Sequence, residues 1–333
     1  MELEIKILEA LHQKVIEISK DIIILSRKIA SLDVCSTLGF IAGMHNWCRP
    51  LIDNSKDFII KDGRHSVVEK TIFKKSLNAF VPNDCSLSTN EHLWLITGPN
   101  MAGKSTFLRQ NAHIIILAQI GSYVPAKQAK IGIASKLFSR IGASDNISKG
   151  QSTFMVEMLE TSNIIKNADD KSFIILDEIG RGTSTFDGLA IAWAIIEKVL
   201  RSNKSRTLFA THYHELTKIE KTNSKVRNVS CEIKEWNDEI IYSYKVVEGK
   251  SKGSLGIKVA ELAGFPGDVI VEARALLGKL QSKGINQEVI HLKEEDFEKE
   301  RLIRVKNELE KIDLDSITPL EALNILQKLK SGN

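Results

Sequence analysis

The chain has 333 residues, enough for roughly two domains with a substantial core. Hydrophobic residues at 43% and charged residues at 26% exclude a disordered or collagen-like chain, and the net charge of +4 neither requires nor excludes nucleic acid. The sequence also lacks a signal peptide, an apolar run near the ~20 residues of a membrane span, and paired cysteines, so we expect a cytoplasmic protein without membrane contact.

The first 38 residues are predicted to form one long helix. They contain neither Gly nor Pro, and apolar residues recur at alternating spacings of three and four, on one stripe: Leu8, Leu11, Val15, Ile18, Ile22, Leu25, Ile29 and Leu32. Burying each side chain would contribute ~1.5–3 kcal/mol, so the stripe needs a partner. That partner is either a helix of the same domain, which we favour, or a helix of another chain in a coiled coil.

From residue 49 the pattern becomes that of an α/β protein. Three short apolar runs, each followed by a helical stretch, predict buried parallel strands of a layered βαβ sheet: Leu93 to Thr97, Phe173 to Asp177 and Arg206 to Thr211. The segments Val226 to Ile233 and Glu239 to Val247 predict a β-hairpin.

The end of the chain predicts helices. One runs from Gly267 to about Leu280, a charged segment from Gln281 to Lys311 is a linker or an exposed helix, and the capping box at Thr318 opens a last short helix. We therefore predict three parts: residues 1–48, the end of a helical region; residues 49–266, the α/β domain; and residues 267–333, a helical segment with linker and tail.

Residues 98–105 match the phosphate-binding pattern Gly-x4-Gly-Lys-Ser. The string Gly98-Pro99-Asn100-Met101-Ala102-Gly103-Lys104-Ser105 follows an apolar strand and precedes a predicted helix, Thr106 to Gln119. The glycines allow backbone N–H groups to face a phosphate chain, Lys104 can reach the β- and γ-phosphates, and the Ser105 hydroxyl can ligate Mg²⁺. The alternative is a glycine turn with an incidental lysine.

Asp177 and Glu178 end the second predicted strand. Two carboxylates at the end of a buried strand are costly without a partner. Mg²⁺ would supply a partner for Asp177, and Glu178 is placed to act as general base on the attacking water. The alternative is a solvated acidic pair at the surface.

Two further residues extend the candidate site. His212 follows the third strand, where it could sense the γ-phosphate or orient the water, although a structural role is the alternative. Ser152 precedes a predicted helix from Phe154 to Lys166 and is expected to cap it, which makes a second anion cradle. Since one γ-phosphate needs only one cradle, we expect Ser152 to act in trans on the nucleotide of a second subunit, the alternative being an ordinary capped helix.

These strings together resemble the ATPase motifs of the MutS family of bacterial DNA mismatch repair proteins. The resemblance rests on the strings from Thr97 to Thr106, Gln151 to Met158, Leu176 to Thr185 and Ala210 to Tyr213. The strings at Gly63, Phe80 and Thr318 are similar as well. The resemblance covers nearly the whole chain and implies an ABC-type P-loop ATPase that works as a homodimer with two composite sites.

The resemblance assigns roles to individual residues. It implies that residues 98–106, ending with Thr106, bind the ATP phosphates, that Asp177 and Glu178 serve metal and water, and that His212 is a switch histidine. It also implies that Gly180 to Thr185 communicate across the dimer and that Phe80 lies near the adenine. Leu255 and Lys258 depart from the family pattern, which usually has an aromatic residue and a histidine at these positions for contact with the base. Ser66 stands where the family usually has Pro.

The resemblance begins at the last lever helix of the family. No counterpart of the mismatch-reading, connector or clamp regions is present, so we expect the C-terminal part of a longer protein. The predicted function is a Mg²⁺-dependent ATP-binding and ATP-hydrolysing dimerisation module of a mismatch repair protein. It would couple the binding and hydrolysis of the nucleotide to the movement of the DNA clamp. It would bind DNA through the missing domains and would have other mismatch repair proteins as partners. The alternatives are a catalytically silent self-association fragment and an ABC-type ATPase of another DNA transaction.

Overall fold

The computed structural model describes residues 2–74, 79–142, 152–236, 239–251 and 256–282. They fall into two units, the first extending to residue 254 and the second starting at residue 255. The boundaries proposed from the sequence after residues 48 and 266 stay predictions, and the elements predicted beyond residue 282 lie outside the described residues.

Helices and strands alternate along most of the first unit. In chain order the elements are α1 (Glu2–Met44), β1 (Leu51–Asp53), β2 (Phe58–Gly63), α2 (Ser66–Lys74), β3 (Asn83–Leu87), β4 (Leu93–Thr97), α3 (Lys104–Gln119), β5 (Gln128–Gly132), β6 (Leu137–Arg140), α4 (Thr153–Asn167), β7 (Phe173–Asp177), α5 (Thr185–Lys198), β8 (Arg206–Ala210), a 3-10 turn (His214–Lys218), α6 (Ile219–Thr222), β9 (Val226–Trp236), β10 (Glu239–Glu248), α7 (Gly256–Leu262) and α8 (Gly267–Ser282).

The predicted long helix is present as α1 and ends at Met44. The residues directly after it are held by the Arg64 guanidinium, which donates to the carbonyls of His45 and Asn46 at 3.1 and 2.8 Å. The eight residues of the apolar stripe are each between 49% and 71% exposed. The favoured interpretation, that the stripe packs on its own domain, is therefore wrong for the described residues, because none of them covers it.

A six-stranded sheet in the order β10-β9-β4-β8-β7-β6 is the centre of the first unit. Its strands β9, β4, β8, β7 and β6 are parallel, and β10 pairs with β9 in antiparallel register, from Glu239 opposite Trp236 to Glu248 opposite Val229. Parallel strands are buried on both faces, and β4 and β8 are buried over their whole length. The predicted α/β class, the three buried strands and the hairpin are confirmed.

Apolar layers cover the two faces of this sheet. On one face α3 lies between the six-stranded sheet and a second sheet of order β1-β5-β2-β3, with Phe107, Leu108 and Ile114 in the shared core. On the other face α4 and α5 contribute Ile164, Leu189 and Ile196, among others, to a second core. Since both layers hold the sheet rigidly, the loops at the carboxyl ends of β4, β7 and β8 are fixed close to one another.

The second unit contains α7 and α8, which pack against each other. The Arg274 guanidinium of α8 donates to the Glu261 carboxylate of α7 at 2.7 Å. The helix predicted to start at Gly267 is confirmed.

Candidate nucleotide-binding site

The loop between β4 and α3 has the backbone of an anion cradle. Three of its residues have positive φ angles, Gly98 at 137°, Met101 at 70° and Gly103 at 98°. Gly103 is also the N-cap of α3, and it uses no side-chain cap. Left-handed turns of this kind allow successive N–H groups to point to one side, where the positive end of the α3 dipole adds to their field.

Lys104, the first residue of α3, spans the mouth of this loop. Its ammonium group donates to the carbonyls of Gly98 at 2.7 Å and Pro99 at 3.1 Å, and it lies 3.5 Å from Glu178 Oε1. Only 5% of the residue is exposed. A buried ammonium group held by neutral carbonyls and one carboxylate keeps enough positive potential to attract a polyanion.

Ser105 and Asp177 form the next pair of the site. The Ser105 hydroxyl donates to Asp177 Oδ2 at 2.6 Å, whereas the buried Asp177 Oδ1 has no hydrogen-bond partner among the described residues. Burial is the main cause that raises the pKa of Asp177, and the neighbouring Glu178 carboxylate raises it further. An oxygen-rich pair with one unsatisfied buried carboxylate oxygen suits Mg²⁺, which prefers carboxylate and hydroxyl ligands.

Glu178 follows β7 in the left-handed conformation, at a φ of 55°. Its N–H group donates to the Ala210 carbonyl of β8, which fixes the turn, and Arg181 Nη1 lies 2.5 Å from its second carboxylate oxygen, Oε2. The Asn100 amide, oriented with its nitrogen towards Glu178, bridges Glu178 Oε1 at 3.2 Å and Arg181 Nη2 at 3.1 Å. A non-glycine residue in this conformation is strained by about 1–3 kcal/mol, as is common at functional sites.

His212 lies two residues beyond the end of β8, at the same edge of the sheet. The residue is exposed as a whole, but desolvation of the ring is the main cause that lowers its pKa, with the Arg181 cation second and Lys104 contributing. A ring with a lowered pKa is neutral near pH 7 and can both donate and accept hydrogen bonds.

Ser152 has the predicted capping geometry. Its hydroxyl accepts from the N–H of Met155 at 3.2 Å at the start of α4, and the residue is exposed. No hydrogen bond joins Ser152 to residues 98–106 in the described part of the chain. The cap itself is confirmed, and its action in trans stays a prediction.

Phe80 lies before β3 and is half-buried. The loop after it is attached to β10: the Asn83 amide donates to the Tyr244 carbonyl at 2.9 Å, and Lys245 Nζ donates to the Pro82 carbonyl at 2.7 Å. The Tyr244 ring in turn approaches Gly103, where an added Cβ would lie 3.4 Å from Tyr244 Cδ1. Tyr244, at a bulge of β10, was not singled out from the sequence, and its alternating strand pattern gives no sign of this approach.

Side chains also bind both the backbone N–H and the carbonyl of Gly180, a feature that was not predicted from the sequence. Glu157 of α4 accepts from the Gly180 N–H at 2.6 Å, and the Tyr213 hydroxyl donates to the Gly180 carbonyl at 2.9 Å. A Cβ at Gly188 would clash with both the Tyr213 hydroxyl and the Gly180 carbonyl. The segment after Glu178 is therefore fixed by α4 on one side and by the neighbour of His212 on the other. The one sign of this contact in the sequence was Glu157, a charged residue among the apolar positions of the helix predicted from Phe154 to Lys166.

Comparison with known proteins decides the family. The family model for MutS domain V matches residues 94–281, which include the phosphate loop, Asp177, Glu178 and His212. The chain belongs to the MutS family. This membership confirms the family resemblance that the motifs predicted.

Individual MutS relatives match nearly the whole chain. Proteins named DNA mismatch repair protein MutS from Thermodesulfovibrio yellowstonii and Ruegeria pomeroyi are 47% and 45% identical over 99% and 100% of it, and the one from Ehrlichia chaffeensis is 49% identical over 84%. The chain spans 40%, 39% and 34% of the length of these three relatives. Among the described residues, no helix is long and apolar enough to cross a membrane.

Proposed function

We propose that this chain is the ATP-binding and ATP-hydrolysing module of a DNA mismatch repair protein and that it depends on Mg²⁺. The observation that carries the proposal is the convergence of Lys104, Ser105, Asp177 and Glu178 between the ends of β4 and β7. A cationic loop for phosphate, an oxygen pair for a metal and an adjacent carboxylate are the three parts that phosphoanhydride hydrolysis needs.

Each part has a defined task in this proposal. Residues 98–106 hold the phosphates through backbone N–H groups and Lys104. Ser105 and Asp177 would hold Mg²⁺, which supplies charge neutralisation on the phosphate oxygens when bound. Glu178 takes a proton from the attacking water, and His212 orients the water or contacts the γ-phosphate. Phe80 stacks on the adenine, an interaction of about 1 kcal/mol.

Dimerisation through the ATPase face completes the proposed site. The exposed N-terminus of α4, capped by Ser152, would close over the nucleotide of the second subunit. In the whole protein, closure of two such faces would move the regions that hold DNA. Contact with DNA and with other mismatch repair proteins belongs, in this proposal, mainly to regions outside this chain.

A specific observation favours a second candidate function. The exposed stripe of α1 is the kind of surface that mediates self-association, so the chain could serve assembly without catalysis. Thermal unfolding with and without Mg²⁺ and ATP distinguishes the two. A nucleotide-binding module at 100-fold excess of ATP over Kd should gain about 2.7 kcal/mol of unfolding free energy. An unchanged unfolding midpoint would favour the assembly role.

Action of Ser152 in trans predicts complementation between two inactive variants. Chains with Ser152→Ala and chains with Lys104→Ala each lack one half of every composite site. Heterodimers of the two have one site with both halves intact, so ATP hydrolysis should return in the mixture. Differently tagged chains and a pull-down establish that heterodimers form. With heterodimers present and the mixture still inactive, Ser152 does not act in trans.

A further inference from the structure

A positively charged cavity lies at the amino-terminal ends of the parallel strands of the six-stranded sheet, whereas the phosphate loop lies at their carboxyl-terminal ends. It has a volume of about 160 Å³, and its walls include residues at or just before the starts of three parallel strands: His92 before β4, Arg206 at the start of β8 and Lys225 before β9. Lys104 and Asp177 lie at or beyond the carboxyl ends of β4 and β7. Because the strands are parallel, the two places are separated by the length of the sheet.

The walls of this cavity carry cations and no carboxylate. Lys56, Lys204, Arg206 and Lys225 contribute positive charge, and Ser88 and Thr89 contribute hydroxyl groups. Lys56 is the one lysine of the three with an ion pair in the described structure, to Asp170 Oδ2 at 2.5 Å. Neither Lys204 nor Lys225 forms an ion pair with a carboxylate of the residues that the structure describes.

Arg206 adds a buried cation whose partners are neutral. The residue is 1% exposed, and its guanidinium group donates to the carbonyls of Lys171 at 2.6 Å, Gly132 at 2.7 Å and Ile133 at 3.2 Å. Carbonyl groups accept from its two terminal nitrogens without cancelling its charge, and its buried Nε has no hydrogen-bond partner among the described residues. The nearby Asp57 carboxylate is engaged by Lys130 at 2.6 Å. The positive potential of Arg206 therefore adds to that of the lysines.

His92 supplies an unsatisfied polar atom in the wall. It is 4% exposed, and its Nε2 has no hydrogen-bond partner among the described residues, while the ring contacts the backbone of Thr89. Burial, followed by the charges of Lys225, Lys56 and Lys204, lowers the pKa of His92 to about 4. A buried nitrogen without a partner is unfavourable unless a ligand satisfies it.

We propose that this cavity binds a compact dianion of the phosphate class, at a site separate from the phosphate loop. Lysine ammonium groups bind phosphate as point charges, and the hydroxyl groups of Ser88 and Thr89 can donate to its oxygens. The shared chemistry is the dianionic phosphate group, either as inorganic phosphate or at the end of a small phosphomonoester. The proposal does not depend on ATP hydrolysis.

Binding of the dianion couples to the protonation of His92. The groups that face the ring are the cations Lys225, Lys56 and Lys204 and the Thr89 backbone, with Arg206 in the same wall. A bound dianion offsets these cations and accepts from a protonated Nε2, so it raises the pKa of His92. For a dianion whose own charge is constant over this range, such as sulfate, affinity therefore increases as the pH falls, about tenfold from pH 8 to pH 5 if the bound pKa reaches about 6.

Nuclear magnetic resonance of the histidine rings tests the proposal at the site itself. Sulfate is the first probe, because its charge does not change between pH 5 and 8, and chloride at equal ionic strength is the reference. We expect saturable movement of the His92 signal, assigned by its loss in His92→Gln, and an increase in its pKa of at least one unit. Lys225→Gln should weaken sulfate binding about tenfold, whereas Lys221→Gln, also exposed but outside the cavity wall, should leave it unchanged.

Three results would overturn the proposal. The first is a His92 signal that does not move when sulfate is added. The second is an equal loss of sulfate affinity in Lys221→Gln and Lys225→Gln. The third is the loss of the sulfate-dependent movement of the His92 signal in Lys104→Met. The last result would mean that the signal reports the phosphate loop from a distance. Inorganic phosphate and glycerol phosphate, compared in the same way, identify the source: tighter binding of the ester indicates a phosphomonoester ligand, and equal or tighter binding of phosphate indicates the free ion.

Discussion

Glu178→Gln is expected to lower the rate of ATP hydrolysis about 100-fold or more, with ATP binding retained. The amide keeps the size of the carboxylate and can still bond to Arg181, but it cannot take a proton from water. General bases contribute about 10²–10⁴-fold to such reactions. Removing a negative charge 3.5 Å from Lys104 also leaves more positive potential for the γ-phosphate. Steady-state hydrolysis and equilibrium binding of ATP with Mg²⁺ measure the two effects separately.

Glu197→Gln is the matched control for this variant. Glu197 lies on α5, where its carboxylate pairs with Arg201 at 3.0 Å, one helical turn away. The Glu197→Gln variant should hydrolyse ATP at the same rate as the original protein. Equal rates for Glu178→Gln and the original protein would remove Glu178 from the role of general base.

Lys104→Met should weaken ATP binding by about 10–100-fold. Methionine has an unbranched side chain one atom shorter than that of lysine, so most of the packing at the start of α3 is preserved, whereas the charge that bonds to the phosphates is lost. A hydrogen bond to a charged group contributes about 1.5–3 kcal/mol, which corresponds to this range. Calorimetric titration of the folded variant with Mg²⁺ and ATP gives the change directly.

Lys127→Met controls for the loss of one positive charge. The Lys127 side chain is 75% exposed and makes only a long contact of 3.9 Å with Asp62. The affinity of the Lys127→Met variant for ATP should match that of the original chain. If Lys104→Met binds ATP as tightly as this control, the loop does not hold the triphosphate in the proposed way.

Local patterns were sufficient to predict the elements of this site. The apolar runs at Leu93, Phe173 and Arg206 predict strands because parallel strands are buried on both faces, and the structure has all three. The cap at Ser152 was predictable because its bond to Met155 joins residues three positions apart. Interactions of this range are set by neighbouring residues in the sequence.

Contacts between distant segments could not be predicted in this way. Glu157 and Gly180 are separated by 23 positions and Tyr213 and Gly180 by 33, and no periodicity relates them. The cavity at His92 joins segments from Lys56 to Lys225, including the start of the buried strand at Arg206, and no local pattern relates these segments. The prediction that the α1 stripe is covered by its own domain is wrong for the described residues, because periodicity indicates an apolar face without indicating what packs on it.

The α/β class, the phosphate loop and the acidic pair after β7 were therefore predictable from the residues alone, because spacing and burial pattern are local properties of the chain. The side chains around Glu178, the contacts of the Gly180 backbone and the cluster of lysines near Arg206 became evident only from the folded chain. The physical reason is that electrostatic and hydrogen-bond partners are chosen by distance in space, which is established only when the sheets and helices pack.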